Sequence, residues 1–341
     1  MNAMDQVVYS PAFGRAVLAP VARWGYGRQR RTGVTPGAAY SAMRKLYGCA
    51  SLAPFAALQD RAAREHPLLA LDAEPQGVAA AEIERVVAAL DADGFAILGT
   101  RLDAASCDEL EAVARAASCS LIGVHGDARR TVWDDDAPVA VRYDVPEEDI
   151  VQSAAAQRLV ADASLLAIAQ RHLGAMPIQD LVAMWWSAAV PGETDADADA
   201  VAQRYHFDLD RLRFVKVFVF LTDVDEDTGP HSYVRGSHRH QPPALRRDGR
   251  HTDDEVLAAY PGDERLVTGP RGTMFLADTI GMHKGVELRH GHRLVFQTEY
   301  TTSLFGSPFT RPTVVAPGHD LASAVARYPE TFQRFVLGAG G

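Results

Sequence analysis

The segment that decides the fold is YHFDLD at residues 205–210, followed by FVKVFVFLTDV at residues 214–224. The second run is rich in β-branched and aromatic residues, which is typical of a buried strand. Other short strands, separated by turns rich in Gly, Pro and Asp, are predicted at residues 95–99, 181–190, 232–234, 272–278 and 293–300. Alternating βαβ units are missing from the pattern, which therefore indicates an antiparallel sandwich or barrel.

Most of the chain upstream of these strands is predicted to be helical. Apolar residues recur at helical spacing, and the predicted helices cover residues 37–65, 79–94, 105–118 and 153–174. Ser106 is the predicted cap of the third of these helices. Residues 1–36 read as turn-rich, 72–77 as a linker, and ETDADADA at 193–200 as a solvated spacer. Helices first and an antiparallel double sheet afterwards define the α+β class.

Charge divides the chain into two predicted parts. Residues 1–75 carry nine Lys and Arg against five Asp and Glu, whereas the whole chain has a net charge of −10. We therefore expect a mostly helical, basic N-terminal extension (1–75) and an acidic domain (76–341). Within that domain the predicted parts are a helical segment (76–180), the barrel (181–310) and a C-terminal tail with a helix (311–341).

Composition excludes several classes of protein. The 341 residues are 47% hydrophobic and 23% charged, as in ordinary globular proteins. Three cysteines without CxxC spacing argue against a disulfide framework. The apolar runs are too short for a membrane span, and the N-terminus shows no secretory signal. We expect a cytoplasmic monomer or homodimer that binds neither membrane nor, given its acidic balance, nucleic acid.

A His-x-Asp motif is the first sign of chemistry. Non-haem iron sites use two His and one carboxylate, and a strand turns residues i and i+2 to the same side. Three such pairs occur, at His125/Asp127, His206/Asp208 and His251/Asp253. His251 precedes a helical run, so Thr252 or Asp253 is interpreted as a helix cap, and His125 lies in a glycine turn. Only His206 and Asp208 lie on a predicted strand, YHFDLD at 205–210, just before the most β-prone run of the chain.

The third ligand must be a later histidine. The candidates are His231, His238, His240, His283, His290, His292 and His319. His283 follows one predicted strand and precedes the next, which is the position a barrel requires. The following strand opens with Arg293, whose guanidinium suits the distal carboxylate of a dicarboxylic acid. Arg293, Val295, Gln297 and Glu299 share one face of that strand, which is polar enough to line a site.

Three segments together resemble the phytanoyl-CoA dioxygenase family of Fe(II)/2-oxoglutarate oxygenases. They are HFD at 206–208, KVFVFLTDVDEDTGPHSYVRGSHR at 216–239 and GTMFLADTIGMHKGVELRHGHRLVFQ at 272–297. The resemblance runs roughly from residue 80 to 310 and leaves the extension outside. It implies a double-stranded β-helix, the jelly-roll or cupin-like barrel, with flanking N-terminal helices.

The resemblance also implies roles for individual residues. His206, Asp208 and His283 match the iron ligands, and Arg293 matches the residue that binds the far carboxylate of 2-oxoglutarate, with Arg289 as a rival. Further cofactor-binding candidates are Lys216, if its face of the strand points inward, and Gln297. Candidates on the substrate side are Arg142 and Tyr143 in a possible lid, Trp185 or its neighbour Trp186, and His238 in the GSH segment.

The implied function is that of a dioxygenase using Fe(II), 2-oxoglutarate and O2. Its substrate is expected to be a small metabolite that is a biosynthetic intermediate, with succinate and CO2 as co-products. Hydroxylation is the default outcome, with desaturation or ring formation as alternatives, while the carboxylate of Asp208 disfavours halogenation. Two other functions stay open, namely a cupin-like metalloenzyme that uses no 2-oxoglutarate and a non-catalytic barrel that binds a partner.

Overall fold

The computed structural model describes residues 9–72, 75, 78–123, 130–192 and 194–338. The strands are β1 (Phe95–Thr100), β2 (Cys119–Ile122), β3 (Arg130–Thr131), β4 (Arg142–Asp144), β5 (Ile178–Ala188), β6 (Phe214–Phe220), β7 (His231–Val234), β8 (Glu264–Val267), β9 (Thr273–Ala277), β10 (His283–Gly285), β11 (His292–Thr301), β12 (Thr313–Val314) and β13 (Val336–Leu337).

Helices surround these strands. A continuous helical stretch, α1, comprises Pro11–Phe13, the π-helical Gly14–Leu18 and Ala19–Thr32. The others are α2 (Gly37–Gly48), α3 (Ala53–Ala63), α4 (Ala80–Asp93), α5 (Ala104–Ala116), α6 (Glu147–Ile150), α7 (Ala154–Val160), α8 (Ala163–Leu173), α9 (Asp195–Ala200), a 3₁₀ turn (Pro243–Leu245), α10 (Asp253–Ala259) and α11 (His319–Arg327). Among the described residues, no helix is both long enough and apolar enough to cross a bilayer.

The barrel consists of two facing sheets. Eight strands form the major sheet in the order β1-β9-β6-β11-β5-β4-β2-β3, and three form the minor sheet in the order β10-β7-β8. All pairings within these two sheets are antiparallel. The prediction of an α+β protein with a double-stranded β-helix and flanking N-terminal helices is therefore confirmed.

Strand alternation divides the major sheet into an outer and an inner face. On β6, Val215, Val217 and Val219 pack into a core cluster with the helices, while Phe218 and Phe220 belong to a cluster inside the barrel. This follows from the period of two in a strand. The central strand β11 pairs with both β5 and β6, so the inner-facing side chains of the three strands lie side by side.

Several helix boundaries differ from the predictions. The predicted helix at 153–174 is two helices, because the side chain of Asp162 accepts hydrogen bonds from the backbone of Ser164 and Leu165 and starts α8 anew. Ser106 does not cap α5, because the N-cap is Asp103, which accepts from the backbone N–H of Ser106 at 2.7 Å. Gly94, with φ of 89°, ends α4 as predicted.

Other differences lie in the extension and the acidic spacer. Residues 11–32 are helical and not turn-rich. Within this stretch Gly25 permits close packing against α2, since a Cβ there would lie 2.0 Å from Cβ of Ala39. The predicted helix at 37–65 is interrupted between α2 and α3. In the spacer, Thr194 and Asp197 form a capping box that starts α9.

The extension and the barrel share one hydrophobic cluster. Buried side chains of α1 to α3 pack with those around the HFD segment. The rings of Tyr26 and Phe305 lie 5.4 Å apart edge to face, and those of Tyr47 and Phe207 lie 5.1 Å apart. Phe207 stands between His206 and Asp208, so the extension packs directly behind the predicted metal ligands.

Candidate metal centre and active-site cleft

Two segments of irregular backbone bring the predicted ligands together. The prediction of a strand at 205–210 is replaced by an isolated bridge, in which His206 and His283 exchange both backbone hydrogen bonds, at 3.0 and 2.9 Å. The N–H of Asp208 donates to the carbonyl of Thr279 at 2.7 Å. These bonds fix the HFD segment against the loop that leads into β10, and the centres of the two imidazole rings lie 4.3 Å apart with their planes tilted by 48°.

His206, Asp208 and His283 each offer one ligand atom, and these atoms lie within 4.8 Å of one another. Nε2 of His206 is 3.6 Å from Oδ1 of Asp208, and Nε2 of His283 is 3.4 Å from Oδ2. Each Nδ1 donates to a backbone carbonyl, that of Arg204 or Gly281, at 2.9 Å. This tautomer leaves the lone pairs on Nε2, as a metal requires. The donor set of two imidazoles and one carboxylate fits Fe(II).

Electrostatics keep His206 and Asp208 in the form that binds metal. Burial and the neighbouring His283 lower the pKa of His206 to about 3, so the imidazole is neutral at physiological pH. Burial raises the pKa of Asp208, but the ammonium of Lys216, together with the contact to His283, outweighs burial and holds that pKa well below its ordinary value. The carboxylate is therefore ionised.

Lys216 points into the barrel. Its Nζ donates to Oδ2 of Asp208 at 2.7 Å and lies 3.6 Å from Oε2 of Glu299. Of the two orientations considered for this strand face, the structure shows the inward one. The ammonium therefore already contacts two carboxylates. Lys216 is a neighbour of the predicted metal site, and its positive charge compensates part of the negative charge of that site.

Arg293 is a buried cation that has no anionic partner within the described part of the chain. Only 7% of it is exposed, Nη2 donates to Oγ of Ser187 at 3.3 Å, and Nε has no acceptor among the described residues. Burial and the nearby Arg142 lower the pKa of Arg293 to about 10, which still leaves it protonated at neutral pH. The side chain of the rival Arg289 is 77% exposed and paired with Asp227.

These groups line one cavity of about 230 Å³ inside the barrel. It contains most of the residues singled out from the sequence, namely Arg142, Trp185, His206, Asp208, Lys216, His283, Arg293 and Gln297. The guanidinium of Arg142 lies 4.4 Å from the centre of the Trp185 ring. Arg142 belongs to β4, which pairs with β5 in the major sheet, and so it is part of the wall and not of a lid.

Two predicted residues lie elsewhere. Tyr143 is buried in the core on the opposite face of β4, where its ring contacts Trp133 edge to face at 5.0 Å. Strand alternation explains this, since neighbours in a strand point to opposite sides. His238 lies in the turn after β7, with Nε2 3.3 Å from the carbonyl oxygen of Asp91. The structure therefore brings neither side chain to the cleft. His125 and Asp127 lie outside the described residues.

His231 is a cleft residue that motif reasoning did not select. It lines the cavity, and its ring stacks 5.4 Å from that of His283. Burial, and secondarily the neighbouring His283, holds its pKa well below the ordinary value. Strand alternation was the signal that could have identified it, because His231 and Tyr233 are two residues apart on β7 and therefore face the same side of the sheet.

A second cavity of about 480 Å³ opens beside the first. It shares Arg142, Ala202, His206 and Asp208 with the inner one. Arg44 from the extension lines it, held by Asp248 at 2.8 Å. Together the two cavities form a cleft that has the triad at its centre.

The family model described as phytanoyl-CoA dioxygenase (PhyH) matches residues 90–296, more than half of the chain. No curated protein matches. Among solved structures, the epimerase SnoN from nogalamycin biosynthesis, described as non-heme and alpha-ketoglutarate dependent, is 20% identical over 65% of this chain and 84% of its own, with a TM-score of 0.48.

Two other structures show similar values. HygX from Streptomyces hygroscopicus, with nickel and 2-oxoglutarate bound, is 17% identical over 70% of this chain and 92% of its own, at a TM-score of 0.45. EctD from S. alaskensis is 25% identical over 64% of this chain and 76% of its own, also at 0.45. The extent of the family match decides the assignment: this chain belongs to the phytanoyl-CoA dioxygenase family.

Proposed function

We propose that the protein is an Fe(II)/2-oxoglutarate-dependent dioxygenase that hydroxylates an unactivated C–H bond of a small metabolite, a biosynthetic intermediate. The observation that carries the proposal is the presence, in one cavity, of three converging metal-ligand atoms and an unneutralised buried guanidinium. When bound, Fe(II) and 2-oxoglutarate supply the oxidising chemistry, in which O2 is consumed and succinate and CO2 are released.

The residues of the triad contribute a preorganised metal site. His206 and His283 present Nε2 atoms whose orientation is fixed by the hydrogen bonds of Nδ1. Asp208 supplies the negative charge, and its second oxygen accepts a hydrogen bond from Lys216. Because these bonds exist before the metal binds, little reorganisation is needed.

Arg293 contributes the recognition of the dicarboxylate. Its guanidinium is buried and lacks a carboxylate partner among the described side chains, so the distal carboxylate of 2-oxoglutarate would neutralise it. Gln297 lies on the same strand face and lines the same cavity. The alternative of a cupin-like enzyme without 2-oxoglutarate leaves this buried charge unexplained, as does a barrel that only binds a partner.

The cavity wall also excludes water. Phe218, Phe220 and Phe275 line one side of it, with ring centres of neighbouring pairs about 5 Å apart. An apolar wall beside the metal site shields a reactive centre from solvent. Trp185 and Arg142 line the same cavity from β5 and β4, and Arg142 also lines the outer cavity, where we place the substrate.

A screen of small metabolites tests the proposal. Purified protein is supplied with Fe(II), 2-oxoglutarate and O2, and succinate formation is measured with each candidate substrate. We expect substrate-dependent succinate release together with a product heavier by one oxygen atom. A product lighter by two hydrogens would replace hydroxylation by desaturation or ring closure, whereas turnover without consumption of 2-oxoglutarate would overturn the proposal. A monomer or homodimer is expected in solution.

A further inference from the structure

A separate cavity of about 430 Å³ lies between the extension and the barrel. We call it the junction cavity, and its lining is Tyr47, Leu52, Phe55, Ala56, Gln59, Asp91, His172, Arg213, Phe214, His238, Arg239, Gln241, Arg246, Asp278 and Ile280. None of these residues lines either cavity of the cleft. The wall formed by residues 47–59 lies outside the part of the chain matched by the family model.

Three guanidinium groups line the junction cavity without an anionic partner. Arg213, Arg239 and Arg246 each donate to one backbone carbonyl, those of His172, Ala92 and Ala50, at 2.8, 3.0 and 3.4 Å. None of the three forms an ion pair within the described part of the chain. Such a cluster is unexpected in a protein whose net charge is −10, where carboxylates are plentiful.

The two carboxylates of the junction cavity both lie close to one histidine side chain. Nδ1 of His172 lies 2.8 Å from Oδ1 of Asp91, and Nε2 lies 3.4 Å from Oδ2 of Asp278. The imidazole is buried between them. Both carboxylates thus face the imidazole, and the three guanidinium groups outnumber them, so the lining of the cavity has an excess of positive charge.

Buried donors add to this pattern. Gln241 accepts a hydrogen bond from the hydroxyl of Tyr47 at 2.8 Å, which orients its amide, yet Nε2 has no acceptor among the described residues. Nε of Arg246 also lacks one. Both side chains are more than nine-tenths buried. Unsatisfied buried donors are costly, and here every one of these groups offers hydrogen atoms, as an anion requires.

The rest of the lining is apolar. Leu52, Phe55, Phe214 and Ile280 form a surface for a hydrophobic or aromatic group, and the volume lies in the range of small-molecule sites. We propose that the junction cavity binds a small organic anion, with a carboxylate or phosphate group on the arginines and an apolar body against this surface. The proposal does not depend on the reaction in the cleft.

Isothermal titration calorimetry with three probes tests the proposal. Phenyl phosphate and benzoate carry an aromatic ring and an anion, and benzamide carries the ring alone. At constant ionic strength we expect saturable one-to-one binding of at least one anion to the full chain, and its identity tells phosphate from carboxylate. Binding of benzamide at equal affinity, or no saturable binding of either anion, would overturn the proposal.

Variants locate the binding. Arg246→Met and Arg213→Met should each weaken binding at least tenfold, whereas Arg247→Met, which removes an exposed arginine paired with Glu255, should change it less than twofold. Arg293→Met should also leave it unchanged, because that residue lies in the cleft. Loss of binding in Arg293→Met with retention in Arg246→Met would assign the anion to the cleft and refute the proposal.

A second type of variant guards against misfolding. Ala56 lies at the wall of the junction cavity and is exposed to solvent. Ala56→Trp narrows the cavity without removing a charge or a side-chain hydrogen bond, so the melting temperature should be retained while anion binding is lost. Unchanged binding in a folded Ala56→Trp protein would contradict the assignment.

Discussion

Nζ of Lys216 lies 2.7 Å from Oδ2 of Asp208, so a buried cation compensates the metal-binding carboxylate before any metal is present. We predict that Lys216→Met lowers the free energy of unfolding of the metal-free protein by about 3 kcal/mol, because one member of a buried ion pair loses its partner. Urea denaturation measures this loss. Saturating Ni²⁺ should shrink it, since the metal replaces the missing charge.

The matched control for this variant is Lys45→Met on α2. Lys45 forms no ion pair among the described residues, so the change there should stay within about 0.5 kcal/mol. Equal stability of wild type and Lys216→Met without metal would show that the ammonium does not compensate Asp208.

A second prediction concerns the metal ligands. Asp208→Ala should weaken Ni²⁺ binding, measured by calorimetry, by more than about a hundredfold, because loss of a ligand must exceed the tenfold to hundredfold cost of losing an outer contact. Asp210→Ala removes a carboxylate two residues away that lines only the outer cavity, and it should bind Ni²⁺ as wild type does. The same affinity in both variants would remove Asp208 from the site.

The third prediction separates two arginines. Arg293→Met should raise the KM for 2-oxoglutarate about a hundredfold, because a charge-assisted hydrogen bond to a carboxylate contributes up to about 3 kcal/mol. Arg289→Met should leave the KM unchanged, since its exposed guanidinium is paired with Asp227. Steady-state kinetics decide between them, and an effect confined to Arg289→Met would reverse the assignment.

Residue spacing, together with the family resemblance, selected the residues that the structure brings together at the centre of the cleft. His206 and Asp208 adjoin a strand, His283 and Arg293 stand at the two ends of a strand connection, and alternation puts Gln297 on the face of Arg293. These relations depend on local periodicity, which a sequence displays directly. The same rule, applied to β4, would have separated Tyr143 from Arg142.

Long-range packing was beyond what the sequence displays. The glycine at position 25 signals a turn in isolation, yet it permits α1 to approach Ala39 of α2. Whether Lys216 faced inward depended on which side of β6 the helices would cover. The contact of Tyr47 with Phe207 joins residues 160 positions apart, and no local sequence pattern predicts it.

That contact leads to a fourth prediction. Tyr47→Ala should lower the free energy of unfolding by about 3 kcal/mol through the cavity it leaves, and it should also weaken Ni²⁺ binding, because Phe207 lies between two of the ligands. Trp24→Ala on α1 is the control, as Trp24 is largely exposed. If Tyr47→Ala unfolded with the same free energy as wild type, the contact between the extension and the barrel would not contribute to stability.

A fifth prediction concerns pH. Burial lowers the pKa of His172, but Asp278 and Asp91 outweigh burial and raise it above its ordinary value of 6.5. A raised pKa contributes stability that is fully present below pH 6.5 and is lost as pH rises through the folded-state value. The stability difference between wild type and His172→Gln should therefore shrink from pH 6 to pH 8.5 in urea denaturation. His319→Gln at an exposed position should show no such trend, and a difference that grows with pH would refute the cause given.

The most direct test of the central claim is anaerobic absorption spectroscopy of the full chain with Fe(II) and 2-oxoglutarate. If His206, Asp208 and His283 hold the metal and Arg293 holds the dicarboxylate beside it, a weak visible charge-transfer band appears and saturates with both components. Asp208→Ala should abolish the band, and Arg293→Met should require far more 2-oxoglutarate to develop it. Correctly folded wild-type protein that binds Fe(II) but shows no band with 2-oxoglutarate would contradict the account.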